Sequence, residues 1–420
     1  MRDAAPRTVL FLHRGGGQLR GSEDALLSLL DGLDRDAYRP VVLFSDPVLA
    51  APLEARGIDG RLHDFPELMA LPGEMRLPVV RYLRALASTV RIAREVGAAL
   101  VFCSGGLPCQ LGVPAARRLG IPSVCLLHHP APRGYLRAWL ADRVDELLFI
   151  SRFTAEHSRG GIGRGGTLIP LGVDARGRFL PPARRDPAYR RMLGIAPGDV
   201  AFAQVGALVA HKEHALLLEA FSRVVAEIPR ARLLIVGAGP EEARLRETVE
   251  ARGLGESVVF TGYVDDPAFW LRHVADVHVL ASREEGLGLA TLEASACALP
   301  VVGGDGTGVR ETIEHGRTGF LFAPGDAAAL ADAMLRLARD PELRAAMGRA
   351  GRELVLSRFS REAYHDAVHR VLRAHLPDRR PRESGEIESR EIRGERGESP
   401  PPATLAPREP FVPGPSAAAR

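Results

Sequence analysis

Two successive α/β domains, each a doubly wound parallel sheet and the two facing a central cleft, are what this sequence predicts. Three observations carry the prediction. Short apolar runs without clean polar alternation are interleaved with amphipathic helical stretches, the pattern of parallel strands covered on both faces. That rhythm stops at the Pro- and Arg-rich segment Leu171–Pro197 and then starts again. Glycine-rich turns follow several of the apolar runs, the places where open α/β sheets hold ligands.

Taken in order, Thr8–Leu12 (TVLFL), Pro40–Phe44, Ala99–Phe102, Ser123–Leu127, Glu146–Ile150 and Thr167–Pro170 read as buried strands, with helices such as Ser22–Leu33 between them. After the break, the runs VAFAQVG, RLLIVG, SVVFTG, DVHVLA, PVVG and GFLF repeat the pattern. The expected organisation is a first Rossmann-like domain over 1–170, a linker over 171–197, a second Rossmann-like domain over 198–357, a terminal helix over 358–377 and a tail over 378–420. The tail is rich in Arg, Glu, Pro, Ser and Gly and cannot bury enough surface to offset its ordering entropy, so disorder is expected there. A partner-binding role is the alternative to an inert tail.

Composition narrows the function classes. The chain of 420 residues is 46% apolar and 25% charged, as ordinary globular proteins are, and a net charge of +3 gives no general call for nucleic acid. No apolar run is long enough to span a bilayer, and the N-terminal run before His13 and Arg14 is too short for a signal peptide. Cys103, Cys109, Cys125 and Cys297 form no C-x-x-C pair and read as reduced structural thiols. These features point to a cytoplasmic protein. Of 55 basic residues, Lys212 is the single lysine. It stands where a compact ammonium serves and a planar guanidinium does not, or it survived a coding bias that also removed every Asn.

The chemistry gathers at strand ends. After the first strand comes HRGGGQLRGSEDALL, in which Gly21 and Ser22 cap a helix whose N–H groups face an anion or a sugar. This is no G-x-G-x-x-G fingerprint; a flexible turn before a capped helix is the alternative. Lys212 follows the first strand of the second domain, Gly237 and Gly239 the next, and Gly262 and Val264 the one after. The stretch Ser282–Pro300, SREEGLGLATLEASACALP, then sets Glu285 and Glu293 eight residues apart around Gly286–Leu289. Backbone donors at a helix start suit a phosphate, and the two carboxylates accept from hydroxyls. The combination suits a nucleoside diphosphate attached to a sugar.

In this order and spacing the motifs resemble glycosyltransferase family 4, the retaining nucleotide-sugar enzymes of the GT-B fold, over most of residues 7–375. RGSEDALLSLL, SRFTAEH with TLIPLGVD, GRTGFLFAPGD and RFSREAYHDAVHRVL resemble further stretches of that family. The resemblance implies that Glu285 contacts the transferred sugar and that Glu293 holds the ribose hydroxyls. It implies that Lys212 neutralises the diphosphate with the backbone of Gly286, Leu287, Gly288 and Leu289 and with Thr291. Gly237 and Val264 would line the base pocket. His128 would face the donor sugar, a place that His129 is able to fill instead. Three positions depart from the family: Ala207 stands for its usual Arg, Ala298 for its usual Gly, which reads as a packing variant, and Leu171 for its usual Asn.

The implied activity is transfer of a hexose from a nucleoside-diphosphate sugar to an acceptor hydroxyl with retention, in cell-surface polysaccharide or glycolipid synthesis. Oriented cations and dipoles stabilise the departing diphosphate, so no metal and no cofactor beyond the donor substrate is expected. The one Asp-x-Asp sequence, Asp34–Asp36, falls at the wrong end of the sheet and reads as a surface turn. Other GT-B chemistry, such as a nucleotide-sugar epimerase, and an inactive nucleotide-sugar-binding protein are the alternatives. The stretch Arg76–Val96 sets Arg81, Arg84 and Arg91 along one helical face with Val80, Leu83, Leu86 and Val90 largely elsewhere. With the Arg133–Arg143 stretch it offers peripheral contact to the inner face of a membrane; a solvated helix is the alternative.

Overall fold

A computed structural model describes residues 5–16, 21–68, 78–159 and 166–376. Residues 17–20 of the first glycine loop, Arg76 and the tail from Asp378 lie outside the described residues.

Among these residues the first sheet has seven strands: β1 (Arg7–His13), β2 (Tyr38–Phe44), β3 (Asp59–Leu62), β4 (Ala98–Ser104), β5 (Ser123–Leu127), β6 (Glu146–Phe149) and β7 (Thr167–Leu168). They pair in the order β3-β2-β1-β4-β5-β6-β7, all parallel. The second sheet has six: β8 (Ala201–Val205), β9 (Arg232–Val236), β10 (Val258–Gly262), β11 (Val277–Leu280), β12 (Val301–Gly304) and β13 (Gly319–Phe322). Their order is β10-β9-β8-β11-β12-β13, again parallel. Both sheets are thus doubly wound, and each reverses its strand order once. The reversal lies between β1 and β4 in the first and between β8 and β11 in the second. A crevice opens at the carboxyl ends of the strands at such a point.

The central strands are apolar throughout because helices cover both faces: Val9, Leu10, Phe11 and Leu12 of β1 are fully buried, as are Leu233, Leu234 and Ile235 of β9. Each such side chain contributes about 1.5–3 kcal/mol by leaving water. Strand β3 escapes the apolar-run reading for the opposite reason. Its sequence DGRL pairs at an open edge and only one of its residues is even half-buried.

The linker is no loose tether. Leu171, Val173 and Phe179 belong to a buried apolar cluster that also takes in Val9 and Phe11 of the first sheet and Leu292 and Leu299 of the second domain. Arg185 and Arg190 bind the Asp276 carboxylate at 3.1 and 2.8 Å, and the same carboxylate accepts from the Ala201 N–H at 2.9 Å. The helix Arg361–His375 returns to the first domain, where the His365 Nε2 donates to the Ser28 carbonyl at 2.8 Å. Asp34 accepts from the N–H groups of Asp36 and Ala37 in a tight turn. All four cysteines are free and buried.

One position thought to be a packing variant has a different character. Ala298 adopts φ +58°, the left-handed region in which glycine is at ease and a Cβ costs about 1 kcal/mol. The usual Gly of the resembled family meets a backbone requirement there, and Ala298 bears the strain.

Candidate functional site

At the switch point of the second sheet, the loops after β8 and β11 are tied together by Gln204. Its Nε2 donates to the Lys212 carbonyl at 3.1 Å, and its Oε1 accepts from the Ala281 N–H at 3.2 Å. So braced, the Lys212 Nζ reaches the Glu285 carboxylate in a short ion pair that is mostly withdrawn from solvent. Gly288 follows at φ +83°, a turn that only glycine makes without strain, and the helix Leu289–Ala296 begins. Leu289 and Ala290 of its first turn line the same cavity as the ammonium.

Glu293 sits one turn into that helix. Burial, then the Asp24 carboxylate across the cleft, pushes it up to about 8, so it carries a proton at neutral pH. Thr291 lies beneath the loop and does not line the cleft. Its hydroxyl is fully buried, donates to the Gly288 carbonyl at 2.6 Å and bonds Thr312 Oγ1 at 2.7 Å. It shapes the loop.

The first sheet contributes from its own switch point. His13 ends β1 and Ser104 ends β4 as register partners, and His128 follows β5. Burial, then the neighbouring His129, takes His128 down to about 3, so its ring is neutral. Its Nε2 lies 3.2 Å from Ser104 Oγ, which lies 3.1 Å from His13 Nδ1; His13 Nε2 is 3.4 Å from a Glu23 oxygen. His129 lines the same cavity with its pKa lowered, chiefly by burial.

The two domains meet at these loops. The Gly286 carbonyl accepts from the Ser151 and Thr154 hydroxyls of the first domain, and the Glu311 carboxylate accepts from the N–H groups of Arg152 and Phe153 at 3.1 and 2.8 Å. A Cβ on Gly286 would lie 2.0 Å from the His128 carbonyl oxygen, so this close approach also requires glycine.

Between them lies a cavity of about 530 Å³. His128, Lys212, Glu285, Glu293, Gly21, Gly237 and Val264 all line it, with Gly286, Leu287, Gly288 and Leu289. Of the residues singled out at the strand ends and the helix start, Thr291, Gly239 and Gly262 stay outside its wall. Sequence reasoning missed Arg14, Glu23 and Asp24, which also line the cavity, and the residues behind it: His13, Ser104, Ser151 and Glu311. His13 and Ser104 left a trace, being the polar residues that close the apolar runs TVLFLH and ALVFCS.

Two parallel-sheet domains that face each other across a cleft holding a half-buried cation, glycine turns and paired carboxylates define a GT-B glycosyltransferase architecture. Residues 19–176 match the model of Glycosyltransferase Family 4 and residues 186–354 that of Glycosyl transferases group 1. Over 328 residues the chain is 30% identical to the GDP-mannose-dependent monoacylated alpha-(1-6)-phosphatidylinositol monomannoside mannosyltransferase of Corynebacterium glutamicum, covering 73% of this chain and 84% of that one. Over 325 residues it is 31% identical to the GDP-mannose-dependent alpha-(1-6)-phosphatidylinositol monomannoside mannosyltransferase of Mycobacterium tuberculosis, covering 73% and 81%. The chain belongs to glycosyltransferase family 4. In fold it is similar to the HepE protein of Anabaena, solved in complex with UDP, at a TM-score of 0.76 and 22% identity over 87% of this chain and 100% of that one. Sucrose-phosphate synthase from Thermosynechococcus elongatus follows at 0.74 and 22%, over 88% and 99%.

Proposed function

We propose that this protein moves a hexose, mannose in the first instance, from a guanosine-diphosphate sugar to a hydroxyl of a glycolipid acceptor, with retention at the anomeric carbon. The observation that carries the reading is the Lys212–Glu285 pair beside the Gly286–Leu289 turn. An incoming diphosphate replaces Glu285 as the partner of Lys212 and takes the helix N–H groups; the released carboxylate turns to the sugar. Breaking the anomeric C–O bond sends its electron pair to the diphosphate oxygen, where the fixed ammonium and helix dipole stabilise the charge without reorganisation. Arg14, at the cavity wall and 3.7 Å from Glu67, supplies the second cation that Ala207 does not. On this reading the chain's own groups carry the leaving-group charge and no metal is called for. Glu293, once ionised, accepts from the ribose hydroxyls. GDP-mannose is chosen because the relatives' names specify it.

A membrane-bound acceptor fits the helix Val79–Glu95. Val80 and Leu83 were expected away from the arginines, but both are exposed beside Arg81, Arg84 and Arg91. Apolar and basic side chains therefore share one outer face, and Val90 turns inward. Such a face rests on anionic lipid. Among the described residues no helix is long and apolar enough to cross a membrane.

The test supplies GDP-mannose and vesicles containing phosphatidylinositol monomannoside, and reads the product's anomeric configuration by NMR. An α-mannosylated lipid with GDP released is the expected result. A β-linked product removes retention, an isomerised nucleotide sugar points to an epimerase, and binding without any turnover points to a non-catalytic protein.

A further inference from the structure

We infer that Glu23, His13 and Ser104 form a positioning relay that fixes which nitrogen of His128 carries the proton, so that His128 meets the donor's sugar with Nδ1 as a hydrogen-bond acceptor. The inference rests on the donor-site reading above and adds three residues to it.

Glu23 is a carboxylate held below its ordinary range by its bonds to His13 and Ser22, which outweigh its burial, and it only accepts. It takes the Ser22 hydroxyl at 2.8 Å and the Gly16 N–H at 3.3 Å, and its Oε1 stands 3.4 Å from His13 Nε2. Where the His13 imidazole holds a single proton, that proton is on Nε2 facing the acceptor-only Glu23, and Nδ1 holds a lone pair. The Ser104 hydroxyl lies 3.1 Å from that lone pair and donates its single proton there. Its oxygen is then an acceptor toward His128 Nε2 at 3.2 Å, so this nitrogen must bear the proton of His128. Nδ1 is left with a lone pair, on a ring that lines the cavity. A lone pair at that place accepts from a hydroxyl of the sugar.

The fold makes the relay rigid. His13 and Ser104 close the two strands that flank the switch point and are register partners, and His13, Glu23 and Ser104 are each at most 5% exposed. Packing of this kind holds hydroxyl and ring in place without help from the ligand, and a buried network with every member satisfied specifies one arrangement. Ser104 is a positioning residue in this account, since it touches the sugar only through His128.

The experiment uses the full chain with ¹⁵N-labelled histidine at pH 7.5, His128 being assigned by comparison with His128→Gln. Long-range ¹H–¹⁵N correlation is expected to show a protonated Nε2 and an unprotonated Nδ1 in the wild type. In Ser104→Ala and in Glu23→Gln the same ring is expected to populate both tautomers. With GDP-mannose as donor, Ser104→Ala lowers kcat by about tenfold, the loss that follows when one hydrogen bond is no longer oriented, while the affinity for GDP alone changes less than twofold. A wild-type His128 protonated on Nδ1 overturns the inference, because every proton in the relay would then run the other way. So does a folded Ser104→Ala chain with unchanged tautomer and kcat. The wild-type spectrum, once assigned through His128→Gln, needs no turnover of GDP-mannose. A chain inactive on that donor would count against the proposed function while the spectrum still decides the relay.

Discussion

The two sheets reverse their strand order at equivalent places, yet they build their halves of the cleft from different materials. In the second domain the two carboxylates and the glycine turn come from one continuous stretch, Glu285 to Glu293, with Lys212 reaching in from the neighbouring loop and Gly237 and Val264 lining the wall beside them. In the first domain it comes from side chains far apart in the chain: His13 and Ser104 are 91 positions apart, and Ser104 and His128 are 24 apart. A diphosphate is bound by backbone donors and point charge, which a short glycine turn and helix start supply locally. Orienting a sugar takes a ring held at one angle, and that requires partners from adjacent strand ends.

The comparison breaks most sharply at Glu285. Glu285→Gln keeps the shape of the site and removes the charge, and kcat is expected to fall by about 10²- to 10³-fold, far beyond the loss at Ser104. Steady-state kinetics with GDP-mannose reads both, and equal losses would mean that the two halves do not divide the work in this way.

A second prediction concerns the cores behind the two halves. Burial holds His278 at about 3, and burial with Lys212 nearby holds His214 at about 4, both in the second domain; His128 at about 3 is the first domain's counterpart. Each folded pKa lies below the ordinary 6.5, so the unfolded chain takes up protons first. The histidines' contribution is complete above pH 6.5 and is lost as pH drops toward 4, by about 1.4 kcal/mol per unit for each fully buried histidine, while the raised Glu293 carboxyl works the other way between 4.5 and 8. Denaturant melts from pH 7.5 to 4.5 check this, and His278→Leu should flatten the slope. An unchanged slope would place the acid sensitivity elsewhere.

The smallest expected effect is at Ala298. Ala298→Gly relieves the left-handed Cβ strain and should stabilise the chain by about 1 kcal/mol, less the added freedom of the unfolded state, or about 2 °C in Tm. A loss of Tm would mean that the Ala298 methyl packs better than its backbone suffers.

The same contrast explains what could be read in the sequence. Twelve apolar runs marked twelve of the strands, most because strands covered on both faces must be apolar and the exposed edge strand β7 because buried Ile169 follows it; edge strand β3, with DGRL open to solvent, had no such signature. Glu285, Glu293 and Lys212 were legible because local spacing and strand-end position carry their chemistry. Glu23 was not singled out, and only the pairing of β1 with β4 brings Ser104 beside the His13 that Glu23 contacts. Thr291 was expected at the ligand and serves the loop instead, a distinction that depends on which way its hydroxyl turns. On the helix Val79–Glu95, residue spacing suggested separate apolar and basic faces, but the part of the first domain it packs against decides which side is outward.

The central claim is that Lys212 and the turn after β11 form a nucleoside-diphosphate site, and thermal shift with GDP, UDP and ADP on wild type and Lys212→Ala tests it most directly. A ligand at about 100 times its Kd adds about 2.7 kcal/mol, a rise of several degrees. The account predicts that GDP gives the largest shift in the wild type and that the variant, still folded, loses it. No shift with any diphosphate, or an equal shift in Lys212→Ala, would contradict it.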